Sequence, residues 1–472
     1  MSAVVAAGLA SCNDKDEYFD VKYQSEPISV SKVFLEDYKS SVPDREVEFA
    51  RLGQMIRLEG SGFFGMKHVY INGYDTYFNR AYVTDNSMII SINTNTPVTE
   101  CEPEVRNTIR LVKDDTEFTY EFSIRNGYSV IRSLSNTLPK AGEKVIGYGS
   151  YLQEPTRIIL PGNVEADPAT FSYDIDGEWF SFTMPSGVNE GGAIIFESPN
   201  GITESPAYFN EKRGMLLDFD EYNKQGCWSW SETGSMISND PADGDLVVDP
   251  LGINGYCVQI VPDRLLADGI PANKTRVTEC HTVGDGDAAW EDWSRLTDFI
   301  SADTPVTDIA FQFDILCPEP WTSGGMLQIQ SINNYSFSGF GSDDDNNTNG
   351  QLYIWAPWLE TGVGGDIEPF RATEWTTVTI PWSEFHKYAN AIADAETATP
   401  TFQTIIDDRN AATYPNFGIG FSNKDFTYTN ASGASVDFES FVWTGPKVYL
   451  DNWRIVPYKV FEPSDYEDEE AE

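Results

Sequence analysis

The stretch Gly53-Gln54-Met55-Ile56-Arg57-Leu58-Glu59-Gly60-Ser61 lies over Gly142-Glu143-Lys144-Val145-Ile146-Gly147-Tyr148-Gly149-Ser150 with the outer glycines seven residues apart in both. Twenty residues after each first glycine comes a turn glycine, Gly73 or Gly162. A strand-like segment follows, Asp85-Asn86-Ser87-Met88-Ile89-Ile90 in one copy and Asp176-Gly177-Glu178-Trp179-Phe180-Ser181 in the other. Glycine supplies the positive φ that tight turns demand. Alternating apolar residues between such turns read as half-buried strands. The copies close on Thr119-Tyr120-Glu121-Phe122 and Ala207-Tyr208-Phe209. One module therefore occurs twice, each copy suited to a small immunoglobulin-like (Ig-like) sandwich of about 100 residues.

The glycine spacing resembles the IPT/TIG type of Ig-like domain found in surface proteins and receptors. Outward from the repeat, β-branched and aromatic residues alternate between Gly, Asn, Asp and Pro along the whole chain, with no long 3.6-periodic segment. The expected fold class is all-β, and the best helical segment is 383–396. At Gly214 the character changes, since ten of the twelve tryptophans lie from Trp228 to Trp443 and four of the six cysteines follow it. This third unit opens with Leu216-Leu217-Asp218-Phe219-Asp220, passes through Glu374-Trp375-Thr376-Thr377-Val378-Thr379-Ile380-Pro381-Trp382-Ser383-Glu384-Phe385 and closes on Val448-Tyr449-Leu450-Asp451-Asn452-Trp453-Arg454-Ile455. The expected division is a truncated leader and tether at 1–25, Ig-like domains at 26–127 and 128–211, and a larger jelly-roll-like β-sandwich at 212–458. Residues 459–472 form an acidic tail, of which Glu462 to Glu472, with seven acidic residues in eleven, are expected to be disordered.

With 31 basic against 74 acidic residues the formal charge is −43, which repels phosphate backbones and anionic head groups. Nucleic acid is excluded as a partner; a neutral ligand meets no such barrier, and the same charge also serves solubility. Near the start, a short apolar run ends in Leu9-Ala10-Ser11-Cys12, a lipobox pattern in which Cys12 takes a lipid anchor. No run approaches the ~18 apolar residues needed to cross a bilayer as a helix, so the expectation is anchoring rather than spanning. The other cysteines lack CxxC spacing, and no zinc site is expected. Cys227 with Cys257, or Cys280 with Cys317, could pair, and buried thiols are the alternative.

Together, the lipobox, the Ig-like pair and the three phrases of the last unit resemble a Bacteroidetes surface glycan-binding protein of a polysaccharide utilisation locus, of the xyloglucan-binding type. The resemblance implies a surface-exposed lipoprotein of the outer membrane, capture of xyloglucan or a related β-glycan without cleavage, and a TonB-dependent transporter complex as partner. No cofactor is expected beyond a structural calcium ion, for which Asp218, Asp220 and Asp451, or the oxygen-rich run Asp343-Asp344-Asp345-Asn346-Asn347, have suitable ligands. No metal-dependent chemistry is expected.

A neutral-glycan site needs flat aromatic platforms edged by amides or carboxylates, and tryptophan serves best. In Gln351-Leu352-Tyr353-Ile354-Trp355-Ala356-Pro357-Trp358, strand alternation sets Leu352 and Ile354 against Gln351, Tyr353 and Trp355. With the aliphatic pair in the core, Tyr353 and Trp355 face outward, and Trp358 follows a proline break. On a neighbouring strand Gln328 and Gln330 oppose Leu327 and Ile329 and are expected to offer their amides to the same surface. Trp321 sits among two prolines and two glycines in an expected loop. Trp321 and Trp355 also best match the stacking tryptophans of the resembled family. Trp290 and Trp293 are further candidates, while Trp375, Trp382, Trp443 and Trp453 are expected in the core. The alternative for the loop tryptophans, lids over a core, stays open. No catalytic residue is assigned: His68, His281 and His386 are the only histidines, and none accompanies a nucleophile elbow or a zinc-protease helix. A β-sandwich glycanase or lyase, and a structural or adhesive surface protein, are the competing classes.

Overall fold

The computed structural model describes residues 21–37, 42, 44–223, 225–226, 246–260, 279–282, 292–321, 325–332, 351–360, 368–394, 396–422, 426–429, 435–438 and 446–465. Almost all regular structure in them is β-strand. The first Ig-like unit sets one four-stranded sheet, ordered Arg45–Glu46, Ser29–Leu35, Met55–Ser61, Ser87–Ser91, against another, ordered Tyr74–Thr76, His68–Ile71, Thr108–Val112, Glu117–Glu121. Its core includes Val33, Ile56, Leu58, Val69, Ile90 and Leu111. The second unit repeats the plan with Lys144–Ser150 between Val130–Leu134 and Trp179–Thr183, and Arg157–Leu160 beside Ile195–Ser198. Phe180, Phe182 and Phe196 fill its centre.

The repeat glycines have a shared physical cause. Gly53, Gly142, Gly73 and Gly162 all have positive φ, between 78° and 93°, and so turn the chain where L side chains are strained. A Cβ on Gly60 would lie 1.8 Å from the Ser29 carbonyl oxygen, and one on Gly149 would lie 1.8 Å from that of Val130. At those points the opposing strand slips register, between Val30 and Lys32 in one domain and between Ile131 and Ser133 in the other. The second glycine of each motif therefore marks a β-bulge where two backbones nearly touch.

The C-terminal unit is a sandwich of two larger sheets. One runs Leu246–Val248, Tyr256–Ile260, Val448–Pro457, Ile309–Trp321, Phe370–Pro381, with Met215–Leu217 also paired to Val448–Pro457. The other runs Gln225–Gly226, Glu279–Thr282, Gly418–Ser422, Met326–Gln330, Leu352–Trp355. Along Ile309–Trp321, Phe311 and Phe313 join the central core, whereas Gln312 and Asp314 point the other way, Gln312 accepting from Thr137 of the second Ig-like domain and Asp314 from Arg454 of its own sandwich. The strand runs through Trp321, so the loop expected there is instead the end of a 13-residue strand with slipped register around its prolines. The helical expectation at 383–396 is met by His386–Ala393 after a short 3₁₀ turn, Trp382–Glu384. A second helix, Phe402–Ala411, went unread in the sequence although Thr401 and Thr404 form a capping box at its start. Cys280 and Cys317 are buried thiols and form no disulfide with each other; Cys227 lies outside the described residues.

The start of the acidic tail is tied to the body of the protein, and Asp465, inside the segment expected to be disordered, is held there. The Lys459 amide donates to the Pro206 carbonyl at 2.7 Å. Asp465 then accepts two hydrogen bonds from Arg51 of the first domain, from Nε at 2.8 Å and from the guanidinium NH2 at 2.5 Å. Both side chains are buried. One acidic residue of a charged run is thus held by a cation 414 positions earlier. Residues 466–472 lie outside the described residues.

Candidate functional site

The C-terminal sandwich gathers the predicted aromatic residues at one edge, but packs them inward. Trp321 and Trp358 are fully buried and Trp355 is 3% exposed. Trp355 meets Phe313 edge-on at 5.5 Å, Phe370 at 5.3 Å and Trp321 at 6.0 Å, the perpendicular geometry that ring quadrupoles favour. The indole N–H groups of Trp321 and Trp358 both donate to the carbonyl of Gly325, at 3.1 and 3.0 Å. That shared acceptor satisfies two buried donors and fixes both rings. The expectation that Trp355 and Trp321 stand exposed is therefore corrected: the space between two large sheets takes up the broadest apolar side chains available.

Strand register corrects a second expectation. Leu327 lies opposite Trp355 and Ile329 opposite Tyr353, while Gln328 and Gln330 face Ile354 and Leu352. Directly paired residues share a face, so Gln328 and Gln330 point away from the Tyr353 and Trp355 side. Both glutamines are buried, beside Gly420 and Gly418 of the next strand. Gln351 falls with Tyr353 by alternation and is also buried; its Oε1 accepts from the Ser331 hydroxyl at 2.8 Å.

Tyr353 is the member of the set that stays only partly buried, packed against the core from the edge strand. Its ring lies 6.1 Å from that of Phe385, and its hydroxyl bonds to the Glu384 carboxylate. Loss of water raises the Glu384 carboxyl above its ordinary value, against the opposing pull of that bond. Sequence reading did not single out Glu384; its place beside Tyr353 depends on the turn at Trp382–Glu384. Trp290, Trp443, Cys12 and the run 343–347 lie outside the described residues. Trp293 is buried beneath Arg409, whose guanidinium sits 3.7 Å from the ring centre, and Trp375, Trp382 and Trp453 are buried as expected.

The aspartates considered for calcium close loops. Asp218 Oδ1 accepts from the amides of Asp220 and Tyr222, and Asp220 Oδ1 from that of Tyr256. Burial, then proximity to Asp314, pushes the Asp451 carboxyl well above the usual carboxylate range. Among the described residues no three His, Cys, Asp or Glu side chains converge as a metal site. His68 is exposed in the first Ig-like domain, 3.2 Å from Asp75, while His281 is buried in the C-terminal unit.

Residues 209–457, which span this sandwich and more than half of the chain, match the family described as the surface glycan-binding protein B xyloglucan binding domain. The chain belongs to this family. Its C-terminal sandwich is accordingly a carbohydrate-binding domain. The surface glycan-binding protein PbSGBP-B of Prevotella bryantii has the same fold, with a TM-score of 0.63 and 22% identity over 92% of this chain and 99% of that one. An IPT/TIG domain-containing protein of Bacteroides ovatus is 26% identical over 165 residues, 32% of this chain and 34% of that relative. The chain thus spans about a third of the length of that curated relative. Both likenesses accord with Ig-like sandwiches preceding the binding domain.

Proposed function

We propose that this protein is a non-catalytic lipoprotein of the outer-membrane surface that captures a neutral polysaccharide, xyloglucan or a related β-glycan, by aromatic stacking. Handing the glycan to a TonB-dependent transporter is the companion step, and Cys12 is the proposed anchor. The observation that carries this reading is the match of the xyloglucan-binding family to the whole C-terminal sandwich. The net charge of −43 supports a neutral rather than an anionic ligand.

In the binding domain Tyr353 offers the sugar a ring, with Glu384 beside it as acceptor for sugar hydroxyls. Trp355 lies on the same strand face but is buried, edge-on against Trp321, and so holds the strand that carries Tyr353. Retardation in xyloglucan-containing native gels tests capture, and a mobility unchanged by the polysaccharide defeats it. Accumulation of reducing ends from the same polymer would instead establish a glycanase. Replacing Tyr353 with Ala should weaken binding roughly tenfold, since aromatic stacking is worth ~1–3 kcal/mol by analogy with base stacking, and should leave the melting temperature nearly unchanged. Trp355→Ala should reduce binding and also destabilise the domain by about 3–5 kcal/mol, the cost of a core Trp cavity.

A further inference from the structure

The second Ig-like domain and the C-terminal sandwich enclose a cleft of about 630 Å³, within the range of small-ligand sites. One wall is the outer face of the Lys144–Ser150 strand, on which Lys144, Ile146 and Tyr148 alternate with the inward-facing Val145 and Gly147. Tyr148 is 44% exposed, and Trp179 stands directly opposite it on the neighbouring strand. The two rings therefore share one face. Lys144 reaches along that face to within 5.8 Å of the Trp179 ring centre.

The other wall comes from Arg371 to Thr376 and from the 251–254 loop. Asp249 holds this loop rigid: its carboxylate accepts from the amides of Leu251, Ile253 and Asn254 and from the Trp375 indole at 3.0 Å. Lys140 crosses to the Ile253 carbonyl and ties the loop to the opposite domain. At the base, Asn452 and Asp314 belong to a buried polar network shared by both domains. The cleft is therefore a fixed cavity rather than a hinge gap. Side-chain amides of Asn136, Asn254 and Asn452 line it, Glu374 faces Tyr148, and charges of both signs are present.

An exposed aromatic face with amides and mixed charges around it suits an uncharged, hydroxyl-rich chain better than a polyanion or an apolar ligand. We propose that this inter-domain cleft is a second saccharide subsite that takes a further stretch of a neutral glycan, stacked on Tyr148. The proposal rests on the glycan-capture reading and adds a site to it. Two subsites on one rigid body raise affinity for a long polymer without new chemistry, because the second contact becomes intramolecular.

Calorimetric titration of the full chain with a xyloglucan oligosaccharide tests the idea. Two oligosaccharides per chain are expected. Tyr148→Ala should remove one and leave the other, with its affinity intact. Thr373→Trp, at an exposed position on the facing wall, should do the same by filling the cleft without touching either core. Affinity for xyloglucan polymer should fall at least about tenfold in both variants. A single oligosaccharide per chain, bound equally by the wild type and both variants, overturns the cleft subsite while glycan capture stands. No binding heat and no retardation in xyloglucan gels overturns both.

Discussion

Between the second Ig-like domain and the C-terminal sandwich lies Arg454, fully buried. It donates to Thr137 Oγ1 at 2.7 Å, Asp314 Oδ1 at 3.1 Å and Gln312 Oε1 at 3.1 Å. Thr377 adds its hydroxyl to Asp314 at 2.7 Å and its amide to the Ser135 carbonyl at 2.8 Å. The junction of the first two domains is built otherwise. There Arg106 pairs with Glu154 at about a quarter to a third exposure. Arg51 lies 4.0 Å from the Tyr128 ring centre and donates to the carbonyls of Asn126 and Gly127, and its carboxylate partner Asp465 arrives from the far end of the chain. One junction is closed by neighbours in a shared interface, the other by a returning segment. The difference implies that the second and third units behave as one body, whereas the first is held on by a latch.

Asp314→Ala should strike hardest, since removing one partner of a buried ion pair strands the other charge at a cost of about 3–5 kcal/mol. Calorimetry should show the joint transition of the second and third units shifted down. A transition unmoved by this change would mean that the two units are not coupled through Arg454. Replacing Arg454 and Asp314 together by Met and Leu should restore much of that loss, because the desolvation cost then disappears on both sides.

Asp465→Asn comes next, with an expected loss of about 1–3 kcal/mol from a charge-assisted buried pair. Its sharper readout is shape: small-angle scattering should report a broader range of dimensions as the first domain swings free. Unchanged scattering would reduce the latch to an incidental contact. Arg106→Ala should cost least, about 0–1 kcal/mol, as partly exposed pairs do, and that small effect should shrink further in high salt.

The Ig-like repeat was legible because backbone geometry leaves its mark on residue type: positive φ, and backbones so close that an added Cβ would fall 1.8 Å from the opposing carbonyl oxygen, admit glycine and little else. The all-β class and the change of character at Gly214 were legible from alternation and composition. The candidate site was legible only as a list. Trp321, Tyr353, Trp355 and Trp358 do gather at one edge of the sandwich, but alternation along a strand fixes two faces without saying which one meets another sheet. Where both faces are covered, Leu352 and Ile354 no longer identify the core, and the glutamines were consequently assigned to the wrong side. Tyr148 and Trp179 share one face of the second module, and nothing in the local sequence revealed the domain whose residues stand across the cleft from Tyr148.

Local sequence determined what short-range physics dictates: turns, bulges, strand alternation, an acidic surface and an aromatic-rich final unit. Tertiary structure alone decided which tryptophans are packed away, which side of a strand carries the amides, and that Asp465 closes on Arg51. Those outcomes depend on register and on contacts across hundreds of residues, where burial and charge pairing are settled by partners that no local pattern names.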